Sequence, residues 1–331
     1  MYNNKKWYRI FLILFAVICL YGCQKEPVEK DAEAGREETL DENIFDLGKM
    51  DGTKKIQANF SFGVHNFDED KGQILYDGEE LQIDFEVSPD NCSFECSVLI
   101  FIDGIIQKYA LKPQGILCEQ HTVNVENQET LISAYFTPQI DAGKKKHFIH
   151  FLCMFDSEFQ PESGNISYGN SHKISQVMPW ELVVNGKCKK TKEVSVPQKT
   201  KMISQEKKNE YKNDDVNNKN NSKLKTGIQF ETEKGKKDDE IIFRILGGKA
   251  AKYRISAYVG HKLVKFSNGA NYIDLFLDDK HMYESYLTVG KMTDKEYDTL
   301  YFMAIPISSL GTAMVEKSSS ICLYHGGMLD A

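Results

Sequence analysis

The sequence predicts an all-β protein that consists of two antiparallel β-sandwiches in tandem, preceded by a leader and a polar tether. Apolar and polar residues alternate from Leu81 to Val87, so one face of this segment is buried and the other faces water. Asp77-Gly78 and Asp103-Gly104 are tight hairpin signals, because the central positions of these turns need a positive φ. Six or seven such strands in about 130 residues, without a convincing amphipathic helix, are typical of a sandwich.

Two apolar segments predict central strands that are covered on both faces. They run from His147 to Phe155 in the first half and from Leu300 to Ile307 in the second half. A further apolar stripe passes through Trp180, Leu182 and Val184. The stripe places Trp180 in the core of the first sandwich rather than on a binding surface.

The second half of the body matches the first half as a diverged copy would. The segment from Ser97 to Ile102, which ends at Asp103-Gly104, can be laid on Arg254 to Val259, which ends at Gly260-His261. The matched positions include Val98 with Ile255, Phe101 with Tyr258, Ala134 to Thr137 with Ser285 to Thr288, and Phe148-Ile149 with Tyr301-Phe302. We interpret this order as an internal duplication. Alternation shared by any two β-domains is the other explanation.

Two tandem sandwiches of this kind resemble the immunoglobulin-like domains of bacterial surface proteins. The resemblance concerns the fold and transfers no functional residue. It implies that partners are contacted by loops at the ends of a sandwich or by an unpaired edge strand. Two polar interruptions between strands are the first loops to consider, Ser88 to Glu95 and Pro113 to Glu129.

The N-terminus has the three parts of an export signal. Lys5, Lys6 and Arg9 provide positive charge, and the apolar run that follows extends from Ile10 to Leu20. A run of this length is too short to cross a bilayer, which takes about 20 apolar residues. The segment therefore predicts a signal peptide over residues 1–22.

The end of this segment, Leu20-Tyr21-Gly22-Cys23, resembles the lipobox of bacterial lipoproteins. The resemblance implies that Cys23 is acylated on its thiol and becomes the new N-terminus, so the partner of this residue is membrane lipid. The expected location is the extracytoplasmic face of the cell membrane. An ordinary secretory signal that is cut near the same place is the alternative.

Charge divides the mature chain into segments of different character. Residues 23–55 carry ten acidic and six basic residues and suit an acidic flexible tether. Residues 56–185, the first predicted sandwich, carry nineteen acidic and seven basic residues, which disfavours binding to nucleic acid. Residues 186–226 are rich in Lys and Asn and predict a basic linker, and residues 227–331 are the second predicted sandwich.

The cysteines do not predict a shared disulfide framework, because they are distributed unevenly between the two halves. Cys92, Cys96, Cys118 and His121 have the side chains that a tetrahedral zinc site needs, but their spacing is loose. A disulfide between Cys92 and Cys96, or unpaired thiols, are the preferred interpretations. We predict no resident metal or cofactor.

The sequence contains neither a Gly-x-Ser-x-Gly elbow nor a His-Glu-x-x-His helix, and it has no phosphate-binding glycine loop. These absences predict a binding or interaction module rather than an enzyme, with an envelope protein as its partner. Three alternatives remain at this stage: a solute or metal receptor for a transporter, an accessory subunit of an envelope enzyme, and a passive spacer.

Overall fold

The described strands form several β-sheets, as a computed structural model of the chain shows. The structure describes residues 45–48, 55–65, 72–90, 93–141, 143–161, 167–177, 179–186, 188–191, 195–204, 227–237, 239–289, 297–307, 313–324 and 327–328. These residues contain no helix, which confirms the predicted all-β class. Residues from Ile44 to Ala331 belong to one compact unit.

The described residues form twenty-five strands, numbered in chain order. The first thirteen are β1 (Phe45–Gly48), β2 (Lys55–His65), β3 (Gln73–Tyr76), β4 (Leu81–Asp90), β5 (Phe94–Ile102), β6 (Ile105–Ile106), β7 (His121–Val125), β8 (Thr130–Phe136), β9 (Gln139–Ile140), β10 (Lys146–Phe155), β11 (Ile174–Gln176), β12 (Trp180–Val184) and β13 (Lys189–Lys190). The remaining strands are β14 (Ser195–Pro197), β15 (Lys201–Met202), β16 (Ile228–Lys234), β17 (Glu240–Gly247), β18 (Ala251–Val259), β19 (Lys262–Val264), β20 (Tyr272–Leu277), β21 (His281–Thr288), β22 (Tyr297–Pro306), β23 (Glu316–Lys317), β24 (Ile321–Tyr324) and β25 (Gly327–Met328).

The first sandwich consists of two sheets that enclose one apolar core. Its outer sheet has the order β1-β2-β4-β8, and its inner sheet has the order β3-β12-β10-β5-β6. Strand β7 joins the inner sheet beside β5, and β11 joins it beside β10. Side chains from both sheets meet in the core, among them Phe85, Phe136 and Phe151.

The second sandwich repeats this arrangement. Its outer sheet has the order β15-β21-β17-β16, and its inner sheet has the order β14-β20-β18-β22-β24-β25. Phe243, Leu287 and Phe302 belong to the core between the two sheets.

Both sandwiches have the strand order of an immunoglobulin-like domain. In the first sandwich, β2, β4 and β8 share one sheet, and β5, β10 and β12 share the other. These are the positions of strands A, B and E and of strands C, F and G in such a domain. In the second sandwich, β16, β17 and β21 take the first set of positions, and β18, β22 and β24 take the second set. The predicted fold class is therefore confirmed for both halves.

The two inner sheets pack against each other through their outward faces. One buried cluster contains residues of both sandwiches: Leu99, Phe101, Ile106, Leu152, Met154, Tyr258, Tyr301, Met303, Ile305 and Val315. These contacts explain why β10 and β22 are apolar on both faces, since one face lines the core of its own sandwich and the other lines this interface. The two sandwiches therefore pack directly against each other.

Polar contacts surround the apolar part of this interface. The guanidinium group of Arg254 donates a 2.8 Å hydrogen bond to the carbonyl oxygen of Asp103. The neighbouring Gly104 has a φ of +74°, and a Cβ atom at this position would lie 2.7 Å from the Cβ atom of Arg254. Gln176 forms two hydrogen bonds to the backbone of Val315, of 3.1 and 3.2 Å. The sandwiches are therefore fixed by directional contacts as well as by apolar packing.

The connection between the sandwiches differs from the predicted linker in its first part. Strand β13 pairs with β9 of the first sandwich, while β14 and β15 pair with β20 and β21 of the second. Isolated two- and three-residue strands lack a readable alternation, so the sequence pattern missed them. The later part of the predicted linker, 205–226, lies outside the described residues.

The structure supports most of the internal alignment and corrects one segment of it. The segments laid on each other form β5 and β18, and β8 and β21, at corresponding places in the two sheets. Phe101 pairs with His150, whereas Tyr258, its match, pairs with Tyr301. The equivalent of Tyr301 is therefore His150, so the match of Phe148 with Tyr301 was wrong by two residues.

The predicted signal peptide over 1–22 and Cys23 lie outside the described residues, as does most of the predicted tether. Among the residues that the structure describes, no helix is both long and apolar enough to cross a membrane.

Candidate binding cleft

A cleft of about 510 Å³ lies where the two sandwiches meet. It is lined by Lys108, Leu117, Cys118, Glu119, Gln120, Glu158, Gln160, Gly260, His261, Lys262 and Asp298. Most of these side chains are polar or charged. Both sandwiches contribute to the walls, so the shape of the cleft depends on how the inner sheets pack.

One rim of the cleft is a rigid turn with an apolar tip, formed by residues 109–118. Tyr109 and Cys118 exchange two backbone hydrogen bonds of 2.9 and 3.0 Å, which close the turn at its base. Gln114 has a φ of +57°, an uncommon conformation for a residue with a side chain. Beyond it, Ile116 is 82% exposed and Leu117 is 55% exposed. The turn thus presents two large aliphatic side chains to solvent beside a polar cleft.

The charges in the cleft have both signs. Lys108 and Glu119 form an ion pair at 3.6 Å on the wall from the first sandwich. Glu158 accepts a 3.2 Å hydrogen bond from the hydroxyl group of Thr122. Lys262, on the opposite wall, has no carboxylate partner among the described residues. With Asp298, the lining contains three carboxylates and two ammonium groups, and Lys262 offers a position for an acidic group of a ligand.

The segment after β10 forms the floor of the cleft and holds it against the second sandwich. Tyr168 and Gln160 both hydrogen-bond to the hydroxyl group of Thr299, at 2.7 and 2.8 Å respectively. Burial raises the pKa of the Tyr168 hydroxyl, which therefore remains protonated at neutral pH. These contacts fix the position of one wall relative to the other.

A buried histidine lies behind this floor. His172 Nε2 contacts the carbonyl oxygen of Phe159 at 3.0 Å, so this nitrogen carries the proton and donates it. Nδ1 is then the acceptor for the hydroxyl group of Ser320, also at 3.0 Å. Burial, with smaller contributions from His261 and Lys317, lowers the pKa of His172 to about 3. His172 is consequently neutral and a weak base at physiological pH.

Lys317 completes this network. Its ammonium group donates hydrogen bonds to Ser320 Oγ and to the carbonyl oxygen of Ser318, both at 3.0 Å, and it lies 4.7 Å from the centre of the Tyr301 ring. Burial lowers the pKa of Lys317 to about 7. These hydrogen bonds join His172 of the first sandwich to Ser320 of the second, so we interpret the network as a structural contact between the sandwiches.

Among the described residues, the predicted ligands Cys96, Cys118 and His121 do not form a metal site. Cys96 lies in the core of the first sandwich with Cys153, and the imidazole of His121 donates a 2.7 Å hydrogen bond to the carbonyl oxygen of Tyr109. Cys118 lies at the base of the apolar turn, and Cys92 is outside the described residues. In the part of the chain that the structure describes, no group of three or more His, Cys, Asp or Glu side chains is placed to hold a metal ion.

All the cysteines that the structure describes are free thiols. They are Cys96, Cys118, Cys153, Cys188 and Cys322. Cys153 is fully buried, and both the adjacent Cys96 and this burial raise the pKa of its thiol.

The two predicted contact loops have different outcomes. The loop from Ser88 to Glu95 is mostly strand, because β4 continues to Asp90 and β5 begins at Phe94. The loop from Pro113 to Glu129 contributes both the apolar tip and part of the cleft wall, and it contains β7. Sequence reasoning missed the opposite wall around His261, because only the packing of the two sandwiches brings it to the cleft.

No known protein family matches the chain, and no curated protein matches it. The chain is similar to the CsuC–CsuE chaperone and tip adhesion subunit complex of Acinetobacter baumannii pili (11% identity, 78% of this chain and 98% of that chain, TM-score 0.20). It is also similar to the E. coli chaperone DraB (10% identity, 78% and 95%, TM-score 0.23) and to the C-terminal domain of AspA from Streptococcus pyogenes (7% identity, 78% and 98%, TM-score 0.18). Similarities of this size assign neither a family nor a function.

Proposed function

We propose that this protein is a lipid-anchored extracytoplasmic interaction module that binds an envelope protein through the cleft and its apolar rim. The observation that carries the proposal is the turn over residues 109–118, where a closed base and a strained Gln114 hold Ile116 and Leu117 in solvent. Strained backbone and exposed aliphatic side chains both disfavour the free protein. Their combination beside a cleft is the expected character of a contact surface.

The free energy available from burying the exposed aliphatic side chains is large enough for a specific contact. Burial of one large aliphatic side chain is worth about 1.5–3 kcal/mol, so the two exposed residues of the tip can anchor a partner. Lys262 then provides a position for an acidic group of that partner. No group of three or more His, Cys, Asp or Glu side chains among the described residues is placed to hold a metal ion, and we propose binding without catalysis.

Site-specific photo-crosslinking tests the binding surface. A photoreactive amino acid replaces Ile116 in the full-length protein in its native membranes, and adducts are identified by mass spectrometry. We expect one dominant adduct that is lost when Leu117→Asp and Lys262→Glu are added. The matched control introduces Phe276→Asp on an exposed surface of the second sandwich and should leave the adduct unchanged. An adduct that is insensitive to the cleft variants would contradict the proposal.

The proposed anchor rests on the leader sequence and has its own test. Cys23→Ala removes the thiol that would be acylated, so the protein should move from the membrane fraction to the soluble extracytoplasmic fraction. Mass spectrometry of the wild-type N-terminal peptide should show an acylated Cys23. Continued membrane retention of the alanine variant would exclude a lipid anchor at this residue.

A receptor for a small polar solute is the second candidate, and the volume of the cleft favours it. Small-molecule sites usually enclose about 300–1,000 Å³, a range that includes the 510 Å³ found here. Native mass spectrometry of protein purified from its own cells would show a bound solute as a defined mass increment. This candidate predicts that Gln160→Ala abolishes the increment, whereas a partner-binding role predicts no increment at all.

A further inference from the structure

Residues 195–203, here called the connector, cover two sheet edges of the second sandwich. Strand β14 pairs in parallel with β20, and Val196 lies opposite Ile273. Strand β15 pairs antiparallel with β21, and Lys201 lies opposite Met282. The segment 195–203 therefore crosses from the edge of the inner sheet to the edge of the outer sheet and closes one side of the sandwich.

The equivalent edges of the first sandwich are β7 and β8. Val98 pairs with His121 of β7, and Ile255, the match of Val98, pairs with Ile273 of β20. Likewise the alignment of β8 with β21 places Leu131 at the position of Met282. Within the described residues no strand pairs with the outer side of β7, and the only backbone pairing on the outer side of β8 is the bridge between Tyr135 and Ala110.

Equivalent side chains of the two sandwiches also differ in their exposure to solvent. Met282 is 7% exposed and packs with Ile203 of the connector and Leu246. Leu131, its equivalent, is 62% exposed. The first sandwich thus presents an aliphatic side chain at the place where the second sandwich buries one under an added strand.

The backbone of β7 is also oriented for pairing. In β20 the carbonyl oxygen of Asp274 accepts a 2.9 Å hydrogen bond from the amide of Gln198, so the polar groups of Asp274 point toward the added strand. Thr122 is the equivalent of Asp274, and successive residues of a strand alternate in direction. The N–H and C=O groups of Thr122 and Asn124 therefore point to the open side of β7.

We infer that the open side formed by β7 and β8 binds an extended segment of a partner protein, in the way that residues 195–203 cover the second sandwich. Neither β7 nor β8 contains a lysine, a glutamate, an aspartate or a proline. Charged residues and proline are the usual means by which an edge strand is protected from pairing. By contrast β16, an edge of the second sandwich, carries Glu231, Glu233 and Lys234.

The connector indicates the chemistry of the segment that would bind. About nine extended residues reach from one edge to the other, with an aliphatic residue near the end to cover Leu131, as Ile203 covers Met282. The turn between β7 and β8 exposes Glu126 and Glu129, which favours Lys or Arg in the bound segment. This inference names a second contact surface for the partner postulated above and rests on that proposed function.

Residues 23–44 of the chain itself fit this position poorly. They contain eight acidic and three basic residues, so Glu126 and Glu129 would repel them. A second copy of the chain is the other possible donor, and the experiment below distinguishes both from a partner protein.

A photoreactive amino acid in place of Leu131 tests this surface in the full-length protein in its native membranes. Mass spectrometry should identify an adduct with a segment of one partner protein that contains aliphatic and basic residues. Asn124→Pro removes an outward N–H group without removing a bond between β5 and β7, so the adduct should decrease about fivefold or more. The control Asn124→Ala keeps the N–H group and should leave the adduct unchanged.

Several outcomes would overturn the inference. Crosslinks to residues 23–44, or to a second copy of the chain, would assign the edge to this protein itself. An adduct that persists in Asn124→Pro would show that strand pairing is not involved. If Asn124→Pro lowers the thermal stability of the protein, hydrogen exchange at the backbone amides of Leu131 and Thr122 in the wild-type protein is measured instead. Equal exchange rates with and without the membrane partner would reject the pairing. Crosslinks from Ile116 but none from Leu131 would leave the proposed function intact and remove this inference alone.

Discussion

His150 occupies the interface between the two inner sheets at the position that Tyr301 holds in the second sandwich. It is 3% exposed, and neither ring nitrogen has a hydrogen-bond partner among the described residues. Burial lowers the pKa of His150 to about 4, with a smaller opposing effect of Asp103. A neutral imidazole is therefore tolerated there, but a protonated one would be buried without a hydrogen-bond acceptor among the described residues.

This histidine should make the stability of the protein depend on pH. In the unfolded chain its pKa is about 6.5, so between pH 4 and 6.5 the unfolded state binds more protons than the folded state. The free energy of unfolding should fall as the pH decreases through this window. His150→Phe should reduce the slope by up to about 1.4 kcal/mol per pH unit and should not destabilise the protein at pH 7. Urea unfolding at several pH values measures the slope and the stability at pH 7. Equal slopes for the wild-type protein and His150→Phe would show that His150 does not cause the pH dependence.

Gly104 lies at a close approach between the two sandwiches, beside Arg254. Gly104→Ala places a methyl group 2.7 Å from the Cβ atom of Arg254 at a φ of +74°. Gly72→Ala is the matched control, because its φ is +60° and nothing lies within 4 Å of the added atom. Both variants incur the backbone strain of about 1–2 kcal/mol, and only Gly104→Ala adds an overpacking cost of about 1–3 kcal/mol. Equal midpoints in urea would show that the interface adapts to the methyl group.

At the scale of elements, the connector differs most from what the sequence predicts. Its strands β14 and β15 are integral to the sheets of the second sandwich, and Ile203 is buried beside Leu246 and Met282. The second sandwich therefore begins, in structural terms, within residues 186–226, which the lysine-rich composition assigned to a linker.

Shortening the side chain of Ile203 should destabilise the protein. Ile203→Ala removes a buried aliphatic side chain, and we expect a loss of about 2 kcal/mol or more in the free energy of unfolding. The neighbouring Met202→Ala is the control, because Met202 is exposed and should be nearly neutral. Urea unfolding followed by far-UV circular dichroism measures the stability of both variants. A loss of similar size at the two positions would mean that Ile203 does not anchor the connector.

Long strands were predictable, and short ones were not. The alternation from Leu81 to Val87 and the apolar run from His147 to Phe155 correspond to β4 and β10, because each spans enough residues for its period to be read. Strands β13 and β15 have two residues each and depend on partners that are distant in sequence. The Pro113 to Glu129 loop was predicted as a contact surface, whereas the apolar tip within it became evident only from the exposure of Ile116 in the structure.

At the scale of the whole molecule, two immunoglobulin-like sandwiches share one interface and form one compact unit over Ile44 to Ala331. The sequence contained a sign of this, since β10 and β22 are apolar on both faces. A strand that is buried on both faces can lie in a thick domain or at an interface between domains, and the pattern alone does not distinguish the two. The position of the cleft could not be predicted for the same reason.

The shared interface should make heat unfolding cooperative. We expect a single calorimetric transition for the wild-type protein, because the apolar cluster around Phe101 couples the sandwiches. Phe101→Asp buries a carboxylate without a partner and should separate the unfolding into two transitions. Phe276→Asp, at an exposed position, should preserve the single transition. Two transitions in the wild-type protein would show that the sandwiches unfold independently.

The interface also bears on the history of the gene. The same positions contribute from both sides: Phe101 corresponds to Tyr258, Leu152 to Met303, and Met154 to Ile305. Such reciprocity is what a symmetric homodimer has, in which one patch meets its own copy. If the halves arose by duplication, an ancestor with one sandwich would have paired with itself through this patch. Fusion into one chain would then have allowed the two copies to diverge, so that one acquired a covering strand and the other retained an open edge.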